Sequence, residues 1–91
     1  MTSKETQPVF QIHYFSSASS YTNKATETLP APLPLSRLFD FLEERYPGIR
    51  EKVLVSCGVS LGEEYVDVEA DGEVVIGAGD EVAIIPPVSS G

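Results

Sequence analysis

Tryptophan is absent from this 91-residue chain, and histidine, methionine and cysteine occur once each. A lone Cys57 excludes an internal disulfide and any thiolate cluster for zinc or iron–sulfur, and it suits a reducing compartment. Basic side chains are scarce as well: six Lys and Arg against fourteen Asp and Glu give a formal net charge of −8. Nucleic acid is held through clustered Lys and Arg, so this balance argues against it as a partner. The excess acid suits a protein partner with a basic docking surface, and equally plain solubility. No apolar run approaches membrane-spanning length. Met1 to Gln7 has neither the apolar core of a signal peptide nor an Arg-rich transit pattern. The expectation is a soluble cytosolic protein without membrane or nucleic-acid contacts.

At this length the chain makes one domain, and 42% hydrophobic with 22% charged residues is ordinary for a soluble globule. Residues 1–8 read as a flexible extension, 9–87 as the folded domain and 88–91 as a free C-terminal tail. Val9 to Phe15 alternates as a strand with one buried face. Ser16 to Ser20 reads as a loop. Lys24 to Leu29 reads as a second strand forming a hairpin with the first. Pro30, Pro32 and Pro34 are expected to prevent further sheet pairing there, because proline lacks an N–H and fixes φ.

Leu35, Leu38, Phe39, Leu42 and Tyr46 recur at helical spacing, and Tyr46-Pro47-Gly48 stops the helix. The β-branched run Val53 to Val59, which contains Cys57, is expected to be a third strand. Glu64 to Glu69 is expected to be a short strand closed by the Asp71-Gly72 turn. After a turn at Gly77-Ala78-Gly79-Asp80, Glu81 to Ile85 reads as a final strand, central and buried on both faces. One main helix packed on a mixed sheet is a two-layer α+β arrangement. A β-grasp (ubiquitin-like) sheet clasps its helix in this way, with the last strand beside the first.

The C-terminal end has a readable design of its own. Pro86 and Pro87 stop ladder pairing and stiffen the exit from the sheet. Extended at about 3.3 Å each, the residues from Pro86 to Gly91 reach roughly 20 Å, enough to thread into another protein. Ser89, Ser90 and Gly91 keep that thread thin.

Four segments resemble the molybdopterin synthase small (sulfur carrier) subunit family. They are Tyr14-Phe15-Ser16, the helix end Leu42 to Gly48, the run Gly79-Asp80-Glu81-Val82-Ala83-Ile84-Ile85-Pro86-Pro87-Val88, and a terminal glycine. Counting the whole opening strand that ends in Tyr14-Phe15-Ser16, they cover about residues 9 to 91, and the Gly-Asp-Glu-Val strand leading to a double proline is the most specific. Where the family ends in Gly-Gly, this chain ends Ser89-Ser90-Gly91. The serine hydroxymethyl narrows the fit in a tunnel shaped for bare backbone and removes glycine's freedom at positive φ.

The resemblance implies that an E1-like adenylyltransferase/sulfurtransferase adenylates Gly91 with ATP and then converts it to a thiocarboxylate. Gly91 is thus the covalent carrier, and no cofactor is stably bound. It implies a heterotetramer of two small and two large synthase subunits, in which sulfur passes to cyclic pyranopterin monophosphate to form the molybdopterin dithiolene. Catalytic groups belong to the large subunit. By analogy with the family, Phe15, Tyr65 and Ile85 form an apolar contact patch, and Pro86, Pro87, Val88, Ser89 and Ser90 contact the partner along the tail. Two alternatives remain at this point: a ubiquitin-like carrier or modifier in tRNA thiolation or protein conjugation, and a β-grasp interaction module without carrier chemistry.

Other features read as structural. His13 has no second histidine and no nucleophile near it in sequence. Cys57 reads as a small buried hydrophobe. Glu43-Glu44 and Glu63-Glu64 read as solvated charge, because sequence neighbours face different ways. Gly77-Ala78-Gly79 lacks the strand–turn–helix setting of a nucleotide loop. No metal site is expected.

Overall fold

The computed structural model describes residues 7–87. The expected extension therefore lies outside the described residues up to residue 6, and the expected tail, 88–91, lies outside them entirely. The chain runs β1 (Val9–Tyr14), α1 (Ser17–Thr22), β2 (Thr26–Pro30), β3 (Leu33–Pro34) and a 3₁₀ turn at Leu35–Arg37. It continues through α2 (Leu38–Arg45), α3 (Ile49–Lys52), a 3₁₀ turn at Leu54–Ser56, β4 (Gly58–Leu61), β5 (Glu64–Val66), β6 (Val75–Ile76) and β7 (Glu81–Ile85).

The main sheet has the order β2-β1-β7-β4-β5. β1 and β7 pair in parallel, Gln11 with Glu81 through Tyr14 with Ile84, while the other neighbours are antiparallel. Alternation sends Phe10, Ile12 and Tyr14 of β1 and Val82 and Ile84 of β7 to one face, where all five are buried. Leu35, Leu38, Leu42 and Ile49 from the helical layer close over them. This is the α+β β-grasp arrangement, with the last strand beside the first at the centre.

Several local expectations are corrected. Ser16 to Ser20 is not a loop: α1 occupies Ser17–Thr22, with Ala18 and Thr22 buried four residues apart. Thr22 Oγ1 donates to the Ala18 carbonyl at 3.0 Å, and Asn23 ends the helix in the left-handed region at φ 62°. So few apolar residues leave no periodic signal, and serine is neutral toward helix. The second strand runs from Thr26 to Pro30 rather than from Lys24 to Leu29.

Nor do the prolines end sheet pairing. Pro30 sits opposite Val9, and Leu33–Pro34 pairs with Val75–Ile76 in a separate two-stranded ladder. Both strands lie at sheet edges, where a missing N–H costs no ladder bond. Val53 to Val59 is not one strand. Val53 and Leu54 are both buried in succession while Val55 is 76% exposed, a pattern no alternating strand can produce. Ser56 N–H donates to Val53 and Cys57 N–H to Leu54, so the run closes a turn after α3, and the strand begins only at Gly58. The final strand is central but not buried on both faces: Glu81 is exposed, and Ala83 and Ile85 are half-buried on the open side.

A polar network fastens β1 and β2 to α2. The Glu27 side chain is only 7% exposed. Its carboxylate accepts from Tyr14 Oη at 2.8 Å, from Tyr46 Oη at 2.7 Å and from the Arg45 guanidinium. Burial pushes the Glu27 carboxyl up, but the donors Tyr46, Tyr14 and Arg45 outweigh it and hold the group below the ordinary glutamate range. Burial and the adjoining carboxylate push the Tyr14 hydroxyl well above the usual tyrosine value. Glu43, expected to be plainly solvated, instead accepts from Gly48 N–H at 2.8 Å and Arg50 N–H at 3.0 Å, joining α2 to α3. Gly48 makes that corner at φ 93°, where an added Cβ would stand 2.6 Å from Tyr21 Oη.

Two outcomes follow from this packing. Ser16 adopts φ 50°, ψ −124°, a region that favours glycine. Ser16→Gly is therefore expected to stabilise the fold by roughly 1 kcal/mol, raising Tm by several degrees in a thermal melt. A carboxylate whose folded pKa is depressed adds stability above its unfolded pKa and loses it as pH falls through the folded value. Glu27→Gln is expected to lower stability at neutral pH and to flatten the decline that chemical denaturation measures in the parent below about pH 5.

Candidate functional site

The helices cover one face of the sheet and leave the other open. Antiparallel and mixed sheets accept this when the open face carries polar residues, and most of it does: Gln11, Thr26, Thr28, Ser60 and Glu81. His13 belongs to that face too. Its Nε2 lies 3.3 Å from Glu81 Oε1, a surface pair between adjoining strands without a nucleophile.

At the end where β7 leaves the sheet the polar pattern breaks. Phe15 N–H donates to the Ile84 carbonyl at 3.2 Å, carrying the β1–β7 ladder one residue beyond Tyr14 and setting Phe15 beside Ile85. Ile85 lies opposite Gly58 of β4. Tyr65 of β5 lies opposite Ser60, and its ring leans over Gly58: a Cβ there would meet Tyr65 Cε1 at 3.5 Å. A row Phe15–Ile85–Gly58–Tyr65 thus crosses four strands on the uncovered face. Phe15 is 50% exposed and Tyr65 73%.

The three residues expected to form an apolar patch are therefore brought together, and Phe15 and Tyr65 are outside the core. Sequence reasoning missed Gly58, which provides the bare backbone under the Tyr65 ring. A glycine opening a strand was the available signal, since it often marks a close approach. Directly after Ile85, Pro86 is half-buried and Pro87 exposed, so the chain departs beside this row. Val88, Ser89, Ser90 and Gly91 lie outside the described residues.

Rigid aromatic side chains on a flat face, flanked by small residues, are the usual anchors of a protein contact. Chemistry is not built into the row. Among the described residues no group of His, Cys, Asp and Glu could hold a metal ion, and no helix is long and apolar enough to cross a membrane. Cys57 Sγ donates to the Val53 carbonyl at 3.0 Å, and burial pushes its thiol up, which disfavours the thiolate.

Comparison with known proteins bears on the family and the fold. The profile of the ThiS family matches residues 12–91. The chain is similar to the molybdopterin synthase sulfur carrier subunit of Aspergillus niger, with 74% identity over 86 residues that cover 94% of this chain and 98% of the relative. It shares its fold with small archaeal modifier protein 1 of Haloferax volcanii, at a TM-score of 0.72, 20% identity and coverage of 89% of this chain and 99% of that one. It shares it too with a chain in the complex of subunits 1 and 2 of the molybdopterin-converting factor from Helicobacter pylori, at a TM-score of 0.66, 22% identity and coverage of 91% and 99%.

Exposed side chains outside the core contribute little to folding. Tyr65→Ser is expected to shift stability by about 0.5 kcal/mol and Phe15→Ser, at a half-buried position, by roughly 1–2 kcal/mol in chemical denaturation, whereas truncating the fully buried Ile84 costs about 2–5 kcal/mol.

Proposed function

The chain belongs to the ThiS family, and on that premise we propose that it is the sulfur carrier subunit of a molybdopterin synthase. The observation that carries this reading is the 74% identity, across nearly the full length of both chains, to a subunit of that name. The geometry fits the role of a delivered reagent. A folded body offers an apolar row for docking, and its last central strand points the chain outward through two prolines next to that row.

In this reading the Gly91 carboxylate is the carrier. A free carboxylate is a poor acyl donor, so a separate E1-like enzyme activates it. The carboxylate oxygen attacks the α-phosphorus of ATP, pyrophosphate leaves, and an acyl adenylate forms. Hydrosulfide delivered by that enzyme then attacks the acyl carbon, the C–O bond to AMP breaks, and loss of the thiol proton leaves a C-terminal thiocarboxylate. The charged carrier docks on the large synthase subunit, and its sulfur passes to cyclic pyranopterin monophosphate. A dithiolene holds two sulfurs, so two charged carriers serve each precursor, and the assembly pairs two small with two large subunits.

The division of labour follows from what this chain holds. Phe15, Tyr65 and Ile85 provide the docking contacts, with the exposed aromatics as anchors. Pro86 and Pro87 restrict the directions open to the chain beyond them, which lowers the entropy lost when it is held in a tunnel. Val88 to Gly91 can reach at most about 14 Å past Pro87, and Ser90 stands where the resembled family carries a glycine. Acid–base groups come from the large subunit, and the exchange takes place in the cytosol.

Intact mass spectrometry after incubation with ATP, a sulfur source and an E1-like activating enzyme is the direct test. The expected result is replacement of one oxygen by sulfur, located on the C-terminal peptide, and its loss on deletion of Gly91 with the circular dichroism spectrum unchanged. An unaltered mass, with the enzyme shown active on a carrier ending Gly-Gly, would overturn the carrier role.

A further inference from the structure

A second concavity lies on the other side of β4 from the apolar row. Phe39 of α2 and Val66 of the short edge strand β5 both border it, with Leu54 and Val55 between. It is an open groove of about 880 Å³ between α2, the 3₁₀ turn at Leu54–Ser56 and the β4–β5 edge. Its apolar lining comes from Phe39, Leu54, Val55, Val59, Val66 and Val68. Phe39, Val66 and Val68 are only partly buried against the core, and Val55 is the most exposed large hydrophobic residue described.

One wall of this groove is acidic. Asp67 and Glu69 line it, within a stretch from Glu63 to Glu73 that holds six carboxylates and no Lys or Arg. Asp67 is fixed in place: its Oδ1 accepts from the N–H groups of Glu69 at 2.8 Å and Ala70 at 2.9 Å, which hold its carboxyl below the usual range. Neither Asp67 nor Glu69 has a cationic partner among the described residues. The one cation on the opposite wall, Arg50, is already engaged with Asp40. An apolar floor beneath unneutralised acid is complementary to an apolar side chain flanked by cations.

We infer that this groove is a second protein-docking site, taking a partner segment in which a Leu- or Phe-sized side chain is flanked by Lys or Arg. The apolar side chain seats between Phe39, Val55 and Val66, and the cations meet Asp67 and Glu69. The groove opens on the helical side, while Phe15, Ile85 and Tyr65 face the open side of the sheet. A partner on each surface can therefore be held at once. This site stands apart from the carrier reading, since nothing in it depends on Gly91.

The test uses the full ¹⁵N-labelled chain and a short synthetic peptide with a central Leu between Lys and Arg residues. Two control peptides carry Ser for the Leu, or Glu for the basic residues. Amide shifts on titration are expected at Phe39, Val55, Val59, Val66 and Glu69, and to weaken as salt rises. The Ser control, and separately Val55→Asp and Glu69→Lys in the protein, are expected to reduce affinity about tenfold. Both substituted positions are exposed, so the variant spectra should retain the folded dispersion. The Phe15→Ser and Tyr65→Ser variants should bind as the parent does. No binding at millimolar peptide would overturn the inference. So would equal binding of the Ser control, or shifts centred on Phe15, Ile85 and Tyr65 or spread evenly over the acidic surface.

Discussion

Everything else in the molecule hangs on the parallel pairing of β1 with β7. It joins residues some seventy positions apart in sequence, Gln11 with Glu81 through Tyr14 with Ile84. Parallel neighbours need a crossover, and the whole stretch from α1 to β6 serves as that connection. The pairing places five apolar side chains in one layer under α2. It also decides what stands at the end where β7 leaves the sheet. Phe15 arrives beside Ile85 because the ladder continues one bond past Tyr14, and the chain leaves the sheet there through Pro86.

Around that centre the polar groups hold the helical layer in register. Glu27 ties Tyr14, Tyr46 and Arg45 together, so strand and helix are joined by a buried carboxylate whose oxygens are occupied. Glu43 does the same for the corner between α2 and α3. These contacts have direction, which apolar packing lacks. The groove beside β5 is bordered by Phe39 of α2 on one side and Val66 of β5 on the other. One layer arrangement yields two unlike surfaces: a flat aromatic row on the open face and an acid-walled groove on the other.

Legibility in the sequence followed the strength of local pattern. β1 alternates cleanly, and β7 is an apolar run between a Gly-Asp turn and a double proline. Leu38 and Leu42 of α2 continue a period that starts at Leu35 and ends at Tyr46. Their type and order could therefore be read directly, though not the open face of β7. α1 could not, because Ser-Ala-Ser-Ser-Tyr-Thr has one small apolar residue and is held by burial of Ala18 and by Thr22 bonding back to its carbonyl. Val53 to Cys57 misled in the opposite direction. Its β-branched residues favour a strand, but the chain has to turn there after α3, and tertiary closure overrode propensity. Within the site, Phe15, Tyr65 and Ile85 were nameable from resemblance, while Gly58 beneath the Tyr65 ring was not.

The sequence by itself determined a marked excess of acid, a last strand that gives way to Pro86-Pro87, and a glycine at position 91. Those are properties of residue type and local order, which no packing can change. Tertiary structure alone decided which apolar residues face outward. Phe15, Val55 and Tyr65 are as apolar as Phe10, Leu54 and Tyr14, and they differ only in which side of a strand or turn the long-range pairing turns toward the helices. Exposure is a property of the assembled layers, and so is every surface at which a partner can be met.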